Sequence, residues 1–308
     1  MLKIIQNFIF FLLFFLFVGC ASRPITWQER ILKSQPTPLS LAYSEYGTQQ
    51  SETLLFLHGF GENRQTWRFI TPELSKKYHV VTVDFKGFGE SPKLDDDAYS
   101  VYDQAEFIKA FIEKKNLNNV TVVGRSFGGG VALVLALIQE DNLMGDRIKN
   151  LILINSMSYQ QRLPSMMETL NTPLIGYLGI HLLSSDKIAE EGYRFAFYND
   201  SLIPKESVAY TSQCLTAPLA KYAYLQTVHQ LIPDDIAMME QRYREIDLPT
   251  LILWGREDVS IHVEMAYRLR RTLRNSRLKI FSKVGHMPQE ERPDLVIKEI
   301  EKFMEERK

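Results

Sequence analysis

The chain has 308 residues, enough for one large domain, or one domain carrying an insertion, with a core that needs no staples. Its 36 Lys and Arg balance 37 Asp and Glu, so no basic field exists to attract nucleic acid. Hydrophobic residues make up 45 % and charged residues 24 %, and there are two cysteines; disorder, collagen, a multi-span membrane protein and a Cys-rich metal or disulfide framework are excluded. Enzyme and binding module both remain open.

In chain order, Lys3 gives a positive start and Phe8 to Val18 is an uninterrupted apolar run of eleven. A spanning helix needs about 20 apolar residues, so the run fits a signal-peptide core. It ends in Phe17-Val18-Gly19-Cys20, followed by Ala21-Ser22. This resembles the lipobox of bacterial lipoproteins, with Phe17 where that motif usually carries Leu. The resemblance implies cleavage after residue 19, acylation of Cys20 with palmitate-type chains, and export to the bacterial cell envelope on a lipid anchor. Residues 20–37 then read as a tether, and the seventeen residues after Cys20 could reach roughly 55 Å when extended.

From residue 38 a βα alternation begins. Leu39–Tyr46 and Thr53–Leu57 read as strands, Arg64–Tyr78 as a helix and His79–Phe85 as a strand. Val101–Lys115 is an expected helix, Val120–Gly124 a strand, Phe127–Gln139 a helix and Leu151–Asn155 a strand. The pattern resumes with strand Thr250–Trp254, helix Glu264–Asn275, strand Leu278–Val284 and helix Pro293–Glu306. Such alternation implies a mostly parallel sheet covered on both faces. Residues 156–247 break it: they read as several helices and hold eight of the fourteen tyrosines. An excursion that long is no simple loop and reads as a cap inserted over the sheet.

The chemistry begins at Gly124-Arg125-Ser126-Phe127-Gly128. The bare G-x-S-x-G pattern is weak, but here an apolar strand enters it and a helix rich in Ala, Leu and Val leaves it. A serine on such a turn is held in a strained conformation that exposes its hydroxyl. A serine hydroxyl needs a base, and the base needs an orienting carboxylate. Of six histidines, His286 stands just past the last strand in Val284-Gly285-His286-Met287-Pro288, free to face the sheet's C-terminal edge. His58 follows a strand directly and reads as part of a turn. Leu251-Ile252-Leu253-Trp254 runs into Gly255-Arg256-Glu257-Asp258; of the adjacent carboxylates only one can face the site, and Asp258 is the choice, with Glu257 solvated. The strand Leu151–Ile154 offers no rival acid, being followed by Asn155 and Ser156.

Over roughly residues 38–308 the chain resembles the α/β-hydrolase superfamily. His58-Gly59-Phe60-Gly61 is similar to its HG-x oxyanion loop, and Asp84-Phe85-Lys86-Gly87-Phe88-Gly89-Glu90-Ser91 to its structural D-x-x-G-x-G-x-S turn. The Ser126 elbow, W-G-x-x-D at Asp258 and G-H at His286 follow in the family's order. The resemblance implies an eight-stranded, mostly parallel sheet in a core of residues 38–155 and 248–308, with a helical cap over 156–247. It implies Ser126, His286 and Asp258 as catalytic residues and the backbone N–H groups of Phe60 and Phe127 as the oxyanion hole. Neither metal nor organic cofactor is needed, and no nucleic acid or obligate protein partner is implied.

Relatives that open epoxides or displace halide carry Asp at the elbow, and carbon–carbon hydrolases often carry Asn before the nucleophile. Here those positions are Ser126 and Arg125, the latter read as an ion-pair partner. The expected activity is hydrolysis of small-molecule or lipid-derived carboxylic esters through an acyl-enzyme. Alternatives are a carbon–carbon hydrolase or acyltransferase on the same residues, or an inactive surface-tethered binding protein. Tyr177, Leu178, Tyr193, Phe195, Phe197, Tyr222, Tyr224 and Leu225 are expected to wall an apolar acyl pocket.

Overall fold

The computed structural model describes residues 39–307. The leader, Cys20 and the tether therefore lie outside the described residues. Seven strands form one sheet: β1 (Tyr43–Tyr46), β2 (Thr53–Leu57), β3 (His79–Val83), β4 (Val120–Arg125), β5 (Ile148–Ile154), β6 (Thr250–Gly255) and β7 (Ser276–Phe281). Their order is β1-β3-β2-β4-β5-β6-β7. β1 is antiparallel to β3, and every other neighbouring pair is parallel.

The inner parallel strands are short apolar runs because both faces are covered. Every residue of β2, β4 and β6 is buried. On one face Leu54, Phe56, Val123, Ile152 and Leu253 form a core with Ile300 and Phe303 of the last helix. The helices outside the β5–β6 connection are α1 (Thr71–Leu74), α2 (Val101–Lys114), α3 (Phe127–Glu140), α10 (Glu264–Thr272), α11 (Pro288–Glu291) and α12 (Pro293–Glu305). Ser100 and Asp103 close a capping box on α2, which supplies the orphan N–H groups of its first turn. α3 carries no charge before Glu140 and is buried from Phe127 to Ile138.

Between β5 and β6 all regular structure is helical: α4 (Ser165–Leu170), α5 (Pro173–Leu182), α6 (Ser185–Ala196), α7 (Lys205–Leu215), α8 (Ala220–His229) and α9 (Ile236–Arg242), with short 3-10 turns.

Three expectations need correction. The described residues hold seven strands, not eight: Leu39–Tyr46 yields only the four-residue edge strand β1, whose one strand neighbour is β3. The helix expected over Arg64–Tyr78 divides into a 3-10 turn at Arg64–Trp67, capped by Asn63, and the single turn α1. Pro72 lacks an N–H and suits only a helix start, so the chain restarts there. The last strand ends at Phe281, not Val284, because Lys283 takes a left-handed φ of 59° and turns the chain toward His286.

The sheet order reverses between β2 and β4, since β3 lies on one side of β2 and β4 on the other. In open α/β sheets the crevice at the C-terminal strand ends beside such a reversal is where ligands bind.

Candidate active site

Ser126 sits between β4 and α3 with φ 52° and ψ −119°, a conformation that a non-glycine residue rarely holds. The surroundings enforce it. Ser126 N–H donates to Ile154 O at 3.0 Å, and Ser126 O accepts from the N–H groups of Gly129 at 2.9 Å and Met157 at 2.9 Å. The flanking glycines are steric necessities: a Cβ on Gly124 would lie 2.3 Å from Gly128 O, and one on Gly128 2.3 Å from Leu57 O.

His286 Nε2 lies 3.0 Å from Ser126 Oγ, and its Nδ1 lies 2.7 Å from Asp258 Oδ2. All three side chains are buried to within a tenth of full coverage. Asp258 is held at both oxygens: Oδ1 accepts from Ser260 N–H at 2.8 Å and Ile261 N–H at 2.9 Å, and Oδ2 also accepts from Asn155 Nδ2 at 2.6 Å. Burial works against its charge, but the His286 ring and the hydrogen bonds from His286, Asn155 and Ile261 outweigh it and hold the carboxyl below its usual range. Hydrogen bonding to Asp258 fixes the imidazole with its proton on Nδ1, leaving Nε2 as an acceptor toward Ser126.

Asn155 is the residue that sequence reasoning passed over. It follows β5 with φ 43°, donates to Asp258, and accepts from Gly255 N–H at 3.2 Å. The available signal was an Asn, which tolerates left-handed φ, directly after a buried strand. Its meaning depends on β5 lying beside β6. Glu257, expected in solvent, is half-buried and accepts from Val284 N–H at 3.0 Å.

Phe60 and Phe127 follow the C-terminal ends of β2 and β4, which run in parallel register up to Leu57 beside Gly124. Among the described residues neither of their backbone N–H groups is drawn into a hydrogen bond. His58 is fully buried behind them; its Nε2 accepts from Phe85 N–H at 3.0 Å and its Nδ1 bonds Gly59 O at 2.7 Å. Burial lowers its pKa, against the pull of Asp84, so it is a neutral tie between β2 and β3. Asp84 accepts from the Arg64 side chain, Arg64 N–H and Glu90 N–H, which makes the Asp84–Ser91 turn structural.

Arg125 is 3 % exposed and pairs with Glu62 Oε2 at 3.0 Å, the same oxygen that accepts from Gly59 N–H. Its Nε also donates to His286 O at 3.2 Å. Arg125 thus binds the Phe60 loop to the His286 loop, and Gly59 lacks a side chain because a Cβ would lie 2.0 Å from that guanidinium.

Ser126 and His286 open into a cavity of about 90 Å³, walled from the β5–β6 connection by Met166, Met167, Ile188, Tyr193, Phe195 and Leu215. Of the eight residues expected to wall it, Tyr193, Phe195 and Tyr224 do. Phe197 packs instead on Met287, Tyr222 donates to Asp96 O, and Leu225 is buried elsewhere in the connection. Tyr177 and Leu178 are 55 % and 48 % exposed. The inward face of α5 belongs to Gly176 and Ile180, and one residue along a helix is a 100° turn away.

The sequence pattern of the alpha/beta hydrolase fold family matches residues 52–293, and the chain belongs to that family. Several similar proteins carry enzyme names. Lipase 1 of Psychrobacter immobilis is 27 % identical over 82 % of this chain and 77 % of its own. A solved candidate lipase of Acinetobacter baumannii is 29 % identical, with a TM-score of 0.70, over 94 % of this chain and 98 % of that one. A meta-cleavage product hydrolase of Pseudomonas fluorescens shares the fold, with a TM-score of 0.73 at 20 % identity over 88 % of this chain and 96 % of that one. The protein is a hydrolase with the α/β-hydrolase fold.

Proposed function

We propose that this hydrolase cleaves carboxylic esters through an acyl-enzyme on Ser126. One observation carries the reading: the unbroken relay from Ser126 Oγ through the His286 ring to a buried, four-times hydrogen-bonded Asp258 carboxylate.

Ser126 Oγ attacks the ester carbonyl as His286 Nε2 takes its proton. Asp258 holds the Nδ1 proton and stabilises the imidazolium that forms. Charge on the carbonyl oxygen is met by the Phe60 and Phe127 N–H groups, the latter at the start of α3 where negative charge is favoured. Collapse of the tetrahedral species expels the alkoxide, which takes the proton from His286. Water, deprotonated by the same ring, then attacks the acyl-enzyme and frees the acid and Ser126.

The acyl group belongs against the apolar wall of Met166, Met167, Ile188 and Leu215, and residues 156–247 act as the cap that encloses it. A serine at the elbow disfavours epoxide opening and halide displacement, and a buried Arg125 before it, with two similar proteins described as lipases, favours ester over carbon–carbon cleavage. Cys20, acylated after export, anchors the enzyme in the bacterial envelope, where lipid-derived esters are at hand. A mass spectrum of the mature N-terminus tests this anchor: unchanged mass and membrane partition in Cys20→Ser sinks it.

Labelling with a fluorophosphonate and measuring kcat/KM on p-nitrophenyl esters from acetate to palmitate tests the activity. Each buried CH₂ contributes about 0.8 kcal/mol, so kcat/KM should rise roughly fourfold per carbon until the cavity is full, then fall. Labelling of Ser126 without ester hydrolysis at any length overturns the reading in favour of carbon–carbon cleavage or acyl transfer.

A further inference from the structure

Surface helices normally turn polar side chains to water; on α5 the charged-type residues are reduced to His181, whose ring lies on Tyr177 and whose Nδ1 meets Tyr177 O. From Asn171 to Ser184 the sequence contains no Asp, Glu, Lys or Arg. Gly176 and Ile180 are buried, while Leu174, Ile175 and Leu182 are 70 %, 56 % and 82 % exposed, with Tyr177 and Leu178 beside them. The helix is firmly seated: Gly176 approaches the end of α4 so closely that a Cβ would lie 2.0 Å from Leu170 O. A contiguous apolar face of this kind marks an interaction site.

Two features identify the occupant. The face adjoins the cavity, since α4, which leads into α5, contributes Met166 and Met167 to the cavity wall, and α6, which follows, contributes Ile188. At the far end Lys221 Nζ donates to Leu183 O, which sets a cation at the rim of the apolar face. The face is also too small for a stable dimer. A ten-residue helix is about 15 Å long and roughly 10 Å wide, against about 800 Å² that each partner of a specific complex covers. An interfacial helix needs no such area; it settles about 5–10 Å into the headgroup layer with its apolar side down and cations at the edge.

We infer that α5 is a bilayer-docking face, which enters the surface of the membrane that holds the chain and presents the cavity to acyl chains drawn from it. The inference rests on the proposed Cys20 anchor for its strength. A tether of seventeen residues keeps the body within roughly 55 Å of the bilayer, at millimolar-scale effective concentration, so a weak apolar contact is enough. It also narrows the substrate class to esters resident in the membrane.

The test uses the full chain with Cys214→Ser and Leu182→Cys, carrying an environment-sensitive dye at 182, in phosphatidylethanolamine–phosphatidylglycerol vesicles containing nitroxide lipids. Quenching of the dye by the nitroxide is expected, and none from the same dye at Lys302→Cys. In the Leu178→Glu, Leu182→Glu chain, hydrolysis of a vesicle-borne diacylglycerol should fall about a hundredfold or more, while dissolved p-nitrophenyl butyrate is cleaved as before. An unquenched dye on vesicle-bound protein overturns the inference. Self-quenching that follows protein concentration and ignores the nitroxide overturns it in favour of a second copy of the chain. The mass at Cys20 separates the two readings: quenching at 182 that the Lys302→Cys control lacks, without a lipid on Cys20, keeps the docking face and removes the anchor, whereas neither lipid nor such quenching removes both. The dye reports whether or not the enzyme proves to be an esterase.

Discussion

The C-terminal edge of the sheet and the helical connection between β5 and β6 meet at one cavity, yet they are built by different rules. At the sheet edge, Ser126, Asn155 and Asp258 each stand within three residues of a strand end, and His286 five residues past β7. β4 and β6 are buried along their whole length and β5 from Leu151 on, and with β7 they are locked in parallel register. Position there is set by the backbone of the sheet. The connection has no such lattice: α4, α6, α7 and α8 reach the cavity through Met, Ile, Leu and Tyr side chains, and α5 leaves its apolar face uncovered. On the proposed reading, chemistry belongs to the rigid part and selection among substrates to the adaptable one.

The largest expected effect breaks the rigid part. Ser126→Ala or His286→Ala should lower kcat by roughly 10⁴–10⁶ and Asp258→Asn by about 10⁴, with thermal unfolding unchanged. The Ser126→Ala, His286→Ala double variant should be little worse than either single one, because the groups act as a unit. More than a tenth of normal turnover in Ser126→Ala would remove Ser126 as nucleophile.

Asn155→Ala sharpens the same side of the comparison. It deletes one hydrogen bond to the charged Asp258 carboxylate, worth about 1.5–3 kcal/mol, so kcat should fall about 10- to 100-fold while KM holds. If KM rose instead, Asn155 would be shaping the cavity and not the acid.

Glu290 links the two regions. It is 6 % exposed, accepts from Thr66 Oγ1 at 2.9 Å and Arg68 at 3.2 Å on the sheet side, and from Ser207 Oγ of α7 at 3.2 Å. Burial pushes its carboxyl up to about 7 despite Arg68. The folded state therefore binds this proton more tightly than the unfolded chain does. Its stabilising contribution is whole below the ordinary carboxylate value and is lost as pH rises through about 7. Urea unfolding should show about 3 kcal/mol less stability at pH 8 than at pH 4.5 from this group, and Glu290→Gln should flatten that slope. An unchanged slope in Glu290→Gln would assign the pH dependence elsewhere.

The smallest effect probes the adaptable side. Gly192 of α6 lines the cavity, and a Cβ there meets nothing within 4 Å. Gly192→Leu should lower kcat/KM about tenfold for the longest acyl chains accepted and leave acetate untouched, as two or so CH₂ groups lose their space. Equal losses at all lengths would mean the variant disturbs His286 and not the cavity.

What could be read from the sequence follows the same division. Ser126, Asp258 and His286 are each announced by a local pattern, a strand running into a turn, and the structure brings those three within hydrogen-bond reach. Asn155 escaped because its function is an adjacency of β5 and β6, whose ends are separated by more than ninety residues of chain. Tyr177 and Leu178 were expected at the cavity because apolar composition suggests burial. Which side of a helix faces inward is decided by tertiary packing, here by Gly176 against α4. Arg64–Tyr78 looked helical by pattern, and Pro72 together with the Asn63 cap divided it.

The backbone of the base carries one further consequence. His286 N–H donates to Ala196 O, the last residue of α6, at 2.7 Å, and Tyr198 N–H donates to Glu291 just beyond His286. Swinging the connection off the sheet as one rigid flap would break both hydrogen bonds or pull the main chain of His286 with it. Any gating compatible with turnover keeps the end of α6 pinned and confines the moving part to helices elsewhere along the rim. A cross-link fastening α6 to the His286 loop should therefore leave the enzyme working, with entry and exit as local events.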